Sequence, residues 1–259
     1  MSLINQNKYN MKKLLRLFPL LLLCVCVLTS CGSDDDGDGD SISNPAENEY
    51  VINGHKFIDL GLPSGLLWAD CNVGAASPED SGYYYAWGET EPKQDGDYSW
   101  EKYKFNENNR VSKYNTFDAK VTLEAMDDVA TMKWGKVCHI PTVTEIMELK
   151  NNCNWTWADS KGGGYVVTGP NGKSIFLPAA GAHCARSTLS SSEFDYKGIR
   201  GHYWSSSLYS DSYSYAAQPL YFWDDVSLIC VGGGNFRFWG YSIRPVARIK
   251  DFNISGYLR

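Results

Sequence analysis

Aromatic side chains set in short, glycine-punctuated runs constrain this chain more than any other feature. Its 9 Trp, 17 Tyr and 10 Phe share the sequence with 24 Gly. They fall in clusters such as Gly82-Tyr83-Tyr84-Tyr85-Ala86-Trp87-Gly88 rather than at the spacing of a helical stripe. Bulky rings call for a real core and glycines for tight bends, which together describe a loop-rich β domain. At 259 residues the chain can hold one large domain or two small ones. Its net charge is -6, with no basic cluster beyond the first residues, and this argues against a phosphate-backbone partner, so nucleic acid is not expected.

The N-terminus speaks to the compartment. Lys12, Lys13 and Arg16 precede an apolar run from Leu17 to Leu28 that is too short for a comfortable membrane span and reads as a signal peptide. It ends in Leu28-Thr29-Ser30-Cys31, which resembles the bacterial lipobox, where the Cys is acylated and becomes the first mature residue. Residues 1–31 are therefore the expected signal, and Met11 with its two lysines is a more natural start than Met1, making 11–31 the working part. Each buried methylene of an acyl chain contributes about 0.8 kcal/mol, so Cys31 should tether the mature protein to a lipid bilayer. Residues 32–48 begin with Gly32-Ser33-Asp34-Asp35-Asp36, whose charges repel, and read as a disordered acidic spacer. An acidic stretch directly behind a lipidated Cys is similar to the export signal that sends Bacteroidetes lipoproteins to the outer face of the outer membrane.

Folded structure is expected from Tyr50, where Tyr50-Val51-Ile52 and His55-Lys56-Phe57-Ile58 flank the hairpin signal Asn53-Gly54. Residues 91–120 read as an irregular excursion. Leu123, Met126, Val129 and Ala130 recur at helical spacing before Trp134-Gly135, predicting one short helix. Thr142-Val143-Thr144-Glu145 predicts a second, opened by a capping box and presenting Val143, Ile146, Met147 and Lys150 on one face. Tyr165 to Thr168 and Ser174 to Leu177 read as a further hairpin, residues 181–202 as a surface loop running into a strand near Gly201, and Ala216 to Phe222 and Val226 to Val231 as strands. The stretch Asn235 to Val246 reads as a central strand pair bent at Gly240 and ended by Pro245.

Several blocks in this order resemble one family. They are Asp59-Leu60-Gly61-Leu62-Pro63-Ser64-Gly65-Leu66-Leu67-Trp68-Ala69-Asp70-Cys71-Asn72-Val73-Gly74-Ala75, Gly82 to Thr90, Ile140-Pro141-Thr142, Phe176-Leu177-Pro178-Ala179-Ala180-Gly181, Tyr203-Trp204-Ser205-Ser206-Ser207 and Tyr241-Ser242-Ile243-Arg244-Pro245-Val246. The pattern is similar to the Fibrobacter succinogenes major paralogous domain, a family of bacterial surface lipoproteins related to the C-type lectin-like fold. The resemblance implies an α+β fold with a single C-type lectin-like domain over 49–248, built of antiparallel strands and hairpins with two short helices and followed by a C-terminal tail at 249–259. It offers no catalytic motif to carry over.

The residues that could carry chemistry point to recognition rather than catalysis. The mature chain keeps five thiols besides Cys31, and a Cys71–Cys153 disulfide is the pairing singled out, since both sit in matched blocks and could join the early strand to the end of the second helix. Cys138-His139 and His183-Cys184 place thiol beside imidazole, but neighbours in a strand point to opposite faces, so neither is read as a dyad. The histidines lack zinc-ligand spacing, and no metal or cofactor motif is recognised. Gln218-Pro219-Leu220 and Trp223-Asp224-Asp225 follow the order of a lectin calcium site, but Leu220 has no oxygen to give, so the acidic pair reads as a strand end entering a turn. Trp68, Trp87, Trp204 and Trp239 are expected in the core, and Arg244 as a structural cation bonding loop carbonyls. Tyr209, Tyr213, Tyr215, Trp223, Asp224 and Asp225 form the candidate ligand-binding loop, since exposed rings stack on the apolar face of a sugar. The expected function is binding or adhesion at the cell surface, with a glycan or a surface protein as ligand. Its rivals are a structural or fimbria-associated subunit and an enzyme on a formylglycine-generating-enzyme-like scaffold.

Overall fold

The chain enters its fold earlier than the spacer reading allows, through strand β1 (Ile42–Ala46), which pairs antiparallel with β2 (Glu49–Ile52). Pro45 has no N–H to give, and it is tolerated because β1 is an edge strand whose register shifts between Ser43 and Ala46. The computed structural model describes residues 40–94, 97–184 and 196–248, all within a unit running from Gly39 to Arg259. Cys31, the spacer as far as residue 39, and the tail from 249 lie outside the described residues.

The Asn53-Gly54 hairpin forms as expected. Both residues have positive φ, 49° and 81°, as a two-residue turn between twisted strands requires, and they join β2 to β3 (His55–Asp59) with Ile52 opposite His55. β4 (Leu67–Ala69) pairs with β3. The excursion after it holds a small hairpin, β5 (Asn106–Glu107) with β6 (Arg110–Val111), and sends Tyr98, Tyr103, Phe105 and Tyr114 into the core. Helix α1 (Val129–Trp134) is shorter than its apolar spacing predicts, because Ala125–Asp127 forms a separate 3-10 turn. Asp128 caps α1, accepting from the Thr131 N–H.

After β7 (Cys138–His139), Thr142 opens α2 (Val143–Asn152) with the expected capping box. Its oxygen accepts from the Glu145 N–H at 3.2 Å, and Glu145 accepts from the Thr142 N–H at 2.8 Å. The buried face is Ile146 and Leu149, a correction to the expected Val143, Ile146, Met147 and Lys150. Met147 and Lys150 are exposed. Strands β8 (Asn154–Trp157), β9 (Gly164–Thr168) and β10 (Ser174–Pro178) form a second sheet. A third joins β11 (Gly201–Leu208) to β12 (Ala216–Phe222), whose other edge takes β13 (Cys230–Val231) and β14 (Asn235–Phe236). The last strand is β15 (Val246–Ala247).

The main sheet has the order β1-β2-β3-β4-β15-β7, with β15 antiparallel to both neighbours. Strand residues alternate between its faces, and both faces are buried. Phe57, Leu67 and Ala247 face one apolar cluster with Trp87, Tyr114, Trp134, Trp204 and Tyr241, while Ile58, Trp68 and Val246 face the other with Ile146, Leu149, Tyr165 and Phe222. The fold is thus mostly antiparallel sheet with two α-helices among the described residues.

Asn235 to Val246 is not the strand pair expected, and Pro245 does not end the ladder. The segment threads between other parts of the chain, bridging Gly240 to His183, Tyr241 to Tyr85 and Ser242 to Tyr203, then enters the middle of the main sheet as β15 directly after Pro245. Two fully buried arginines hold it. Arg244 donates to Asn72 Oδ1 at 2.8 Å and to the carbonyls of Ala69, Asp70 and Phe176 at 2.9, 2.6 and 2.8 Å, the structural role expected of it. Arg237 donates to Tyr103 Oη at 2.9 Å and to the Ser214 and Lys113 carbonyls at 2.7 and 3.1 Å, with its guanidinium 4.6 Å from the Trp87 ring.

Candidate functional site

The pairing of β11 with β12 builds a cleft. His202 stands opposite Tyr221, and one step beyond the Gly201–Phe222 pair Arg200 meets Trp223. Opposed residues share a face, so Arg200, His202, Tyr221 and Trp223 line one surface. Ala182, Cys184, Tyr196, Asn235, Trp239 and Tyr241 complete the lining of a cavity of about 250 Å³.

Arg200 is the cation of this cleft. Its guanidinium lies 3.6 Å from the Tyr196 ring centre and 4.9 Å from that of Trp223. A single turn places the first ring, since the Arg200 N–H donates to the Tyr196 carbonyl at 2.9 Å. Tyr196 itself has φ 70°, a left-handed conformation that a bulky residue rarely adopts and that costs of order 1 kcal/mol. His202 is neutral at physiological pH. Burial and then the Arg200 charge push its pKa down to about 4, against a hydrogen bond to the Gly181 backbone. Its Nδ1 and the Arg200 Nε are buried without a hydrogen-bond partner among the described residues. Tyr241 receives the Asn235 amide at 2.9 Å and stacks on Trp204, ring centres 4.3 Å apart.

The six residues of the expected binding loop do not form one surface. Tyr209, Tyr213 and Tyr215 are exposed at 47, 50 and 39% and lie before β12, whereas Trp223 lies after it. Strand residues rise about 3.3 Å each, which separates Tyr215 from Trp223 by more than 20 Å. Tyr215 instead packs against Trp100 with ring centres at 5.1 Å, and Tyr209 against Tyr213 at 6.3 Å. Only Trp223 belongs to the cleft. Asp224 and Asp225 are exposed; Tyr165, on the Phe222 side of β12, has its pKa raised by burial first and then by these two charges, and Asp225 accepts from the Ser227 N–H to start a 3-10 turn. Trp68, Trp87 and Trp204 are core residues as expected, but Trp239 is half-buried and forms part of the cleft wall.

The Cys71–Cys153 disulfide does not form. Cys71 lines a second cavity, and Cys153 caps α2 against the other core cluster. Burial pushes Cys138 up to about 12 and Cys153 to about 11, so both are thiols at neutral pH. Cys138-His139 is not a dyad, for His139 Nε2 contacts the Glu145 carboxylate at 3.2 Å. The second cavity, of about 560 Å³, is bordered by Lys56, Lys133, Tyr83, Tyr85 and the His55–Trp134 stack, whose rings lie 3.8 Å apart. Among the described residues no group of three or more His, Cys, Asp or Glu is placed to hold a metal ion.

Tyr196, Arg200, His202, Tyr221 and Asn235 were missed from sequence. The alternation Arg200-x-His202 and Tyr221-x-Trp223 was there to read, but only the register makes it one face. No family model, curated protein or solved structure matches the chain.

Proposed function

We propose that this protein binds a glycan through the cleft between Arg200 and Trp239. The carrying observation is the combination of Tyr221, Trp223 and Trp239 rings with the polar groups of Arg200, His202 and Asn235 in one concave site. Rings accept the apolar face of a pyranose and the polar groups take its hydroxyls. Binding is favoured over catalysis because, among the described residues, the lining holds no carboxylate to serve as acid or base and its imidazole has none at hydrogen-bond distance.

Around this site we place the wider reading of the chain. It is a member of the Fibrobacter succinogenes major paralogous domain family with a C-type lectin-like fold, tethered through acylated Cys31 to the outer membrane and facing the exterior. The signal at 1–31 and the acidic segment behind it support this placement, and the matched blocks support the family. A fimbria-associated or other structural role has its own observation in the exposed rings of Tyr209, Tyr213, Tyr215 and Phe236, a surface suited to a protein partner.

A glycan array probed with wild type and Trp223→Ala tests the main reading. Sugar-dependent binding lost in the variant supports it. Absence of any sugar binding, with a stable protein partner lost on changing Tyr213 and Tyr215 to Ala, favours the structural role. Palmitate labelling lost in Cys31→Ala tests the anchor, and persistent labelling removes it. Replacing Asp34, Asp35 and Asp36 with Ala should keep the anchor but reduce protease access on intact cells.

A further inference from the structure

We propose that the ligand of the cleft is an anionic sugar whose acidic group is received by Arg200. This rests on the glycan reading and names the class of glycan. A guanidinium normally meets a carboxylate or a row of carbonyls, as Arg244 and Arg237 do in this protein. Arg200 does neither, and no hydrogen bond or ion pair joins its side chain to any described residue. It is held instead by two ring faces, Tyr196 at 3.6 Å and Trp223 at 4.9 Å. Stacking fixes the plane of the guanidinium while leaving its N–H edge unused, the arrangement that receives a bidentate oxyanion with little loss of side-chain freedom.

The electrostatics of the cleft agree. Among the described residues no Asp or Glu lines it, in a chain whose net charge is -6. The nearest acids in sequence after Trp223 are Asp224 and Asp225, and both act on Tyr165, which packs on Phe222 in the other core cluster. His202 adds no second charge, so the described lining offers one cation for one anion, flanked by rings for the sugar body. The strained φ of Tyr196 is consistent with a conformation kept for the ring it places on Arg200.

Carboxylate and sulfate esters share this chemistry, and the test separates them. The full chain in detergent is titrated with glucuronate, with a sulfated hexose and with glucose, following tryptophan fluorescence or heat. Wild type should bind at least one anionic sugar about 10-fold or more tightly than glucose, the scale of one charge-assisted pair. Added salt should weaken the anionic arm alone. Arg200→Gln, with an unchanged melting temperature, should abolish the preference for the anionic sugar over glucose and the salt dependence that goes with it, whatever hydroxyl contacts the two sugars lose alike. Arg200→Lys keeps charge without the fork and should retain part of the preference. Equal binding of glucose and both anions by wild type overturns the inference while leaving the glycan reading intact. Binding of none of the three, together with a silent glycan array, overturns both. The ratio of carboxylate to sulfate affinity identifies which acid is read.

Discussion

Tyr85 and Tyr241 face each other across an isolated antiparallel bridge, each donating its N–H to the other's carbonyl at 3.0 and 3.1 Å. Tyr241 lines the cleft with Arg200, and Tyr85 lines the larger cavity with Lys56 and Lys133. Trp204 joins them, donating its indole N–H to the Tyr85 carbonyl at 2.9 Å while stacking on Tyr241. A change at this bridge therefore reaches both hollows of the protein.

Trp204→Ala should be far more damaging than Trp239→Ala. Trp204 is fully buried, and emptying such a site costs about 3–5 kcal/mol. Trp239 is half-exposed and leaves a hole that water can enter, so its loss should be the smaller of the two. Tyr213→Ala should be nearly neutral. Urea midpoints of the three variants check the order, and Trp239→Ala matching Trp204→Ala would return Trp239 to the core.

Arg244→Lys should destabilise almost as much as Arg244→Met. The fork of Arg244 satisfies four acceptors from two segments, residues 69–72 and Phe176, and a lysine amine cannot span them. Leaving buried carbonyls unpaired costs about 1–3 kcal/mol each. Chemical unfolding measures the loss, and full stability of the lysine variant would show that charge alone suffices there.

Asp127→Asn should cost less than a wholly buried ion pair would suggest. Asp127 is buried and accepts from Lys104 Nζ, Lys113 Nζ and Tyr114 Oη, but the two ammonium groups keep access to water. Burial opposes its ionisation, and those three donors outweigh it and lower its pKa. A loss of about 1–3 kcal/mol is expected, mostly from the Tyr114 hydroxyl and the disrupted donors. A calorimetric scan of the variant is the measurement.

Acid should weaken the fold in two stages. His202 has a folded pKa near 4, below its ordinary 6.5, so the unfolded chain takes up its proton first and stability falls between those values. His55, also lowered by burial, adds to this stage. Burial opposes the charge of Glu145, but His139 and Thr142 outweigh it and hold the carboxylate at about 2 against 4.5, so its contribution is present above 4.5 and is lost as pH falls through 2. His202→Gln should flatten the first decline and Glu145→Gln the second. Urea midpoints across pH 7 to 2 decide it, and a single decline unchanged by either variant would refute the assignment.

What could be read from the sequence was what is decided within a few residues. Asn53-Gly54 dictates its turn and Thr142 with Glu145 dictates its cap, because both depend on local dihedrals and one reciprocal pair of hydrogen bonds. The face of α2 was misjudged where Met147 and Leu149 compete, and only packing into the cluster that holds Trp68, Leu220 and Val246 selects Leu149. The binding loop failed for a longer-range reason. Tyr213, Tyr215 and Trp223 are near in sequence, yet the seven-residue strand β12 holds the tyrosines and the tryptophan apart, while Arg200 reaches Trp223 through a register that no single segment encodes. Arg244 was recognisable as structural from its apolar flanks, and Arg237 was not, since its acceptors come from the irregular excursion.

Because β15 is flanked on both sides by strands made much earlier, a nascent chain has an open slot in its main sheet until residue 247 has been synthesised. Release of a shorter product would leave β4 and β7 with unpaired edges and the acceptors of Arg244 without their donor. Such a fold is acquired late and all at once. Under the export proposed above, that lateness would be useful: the chain would stay threadable while a translocase held it, and lock only after the last strand had crossed.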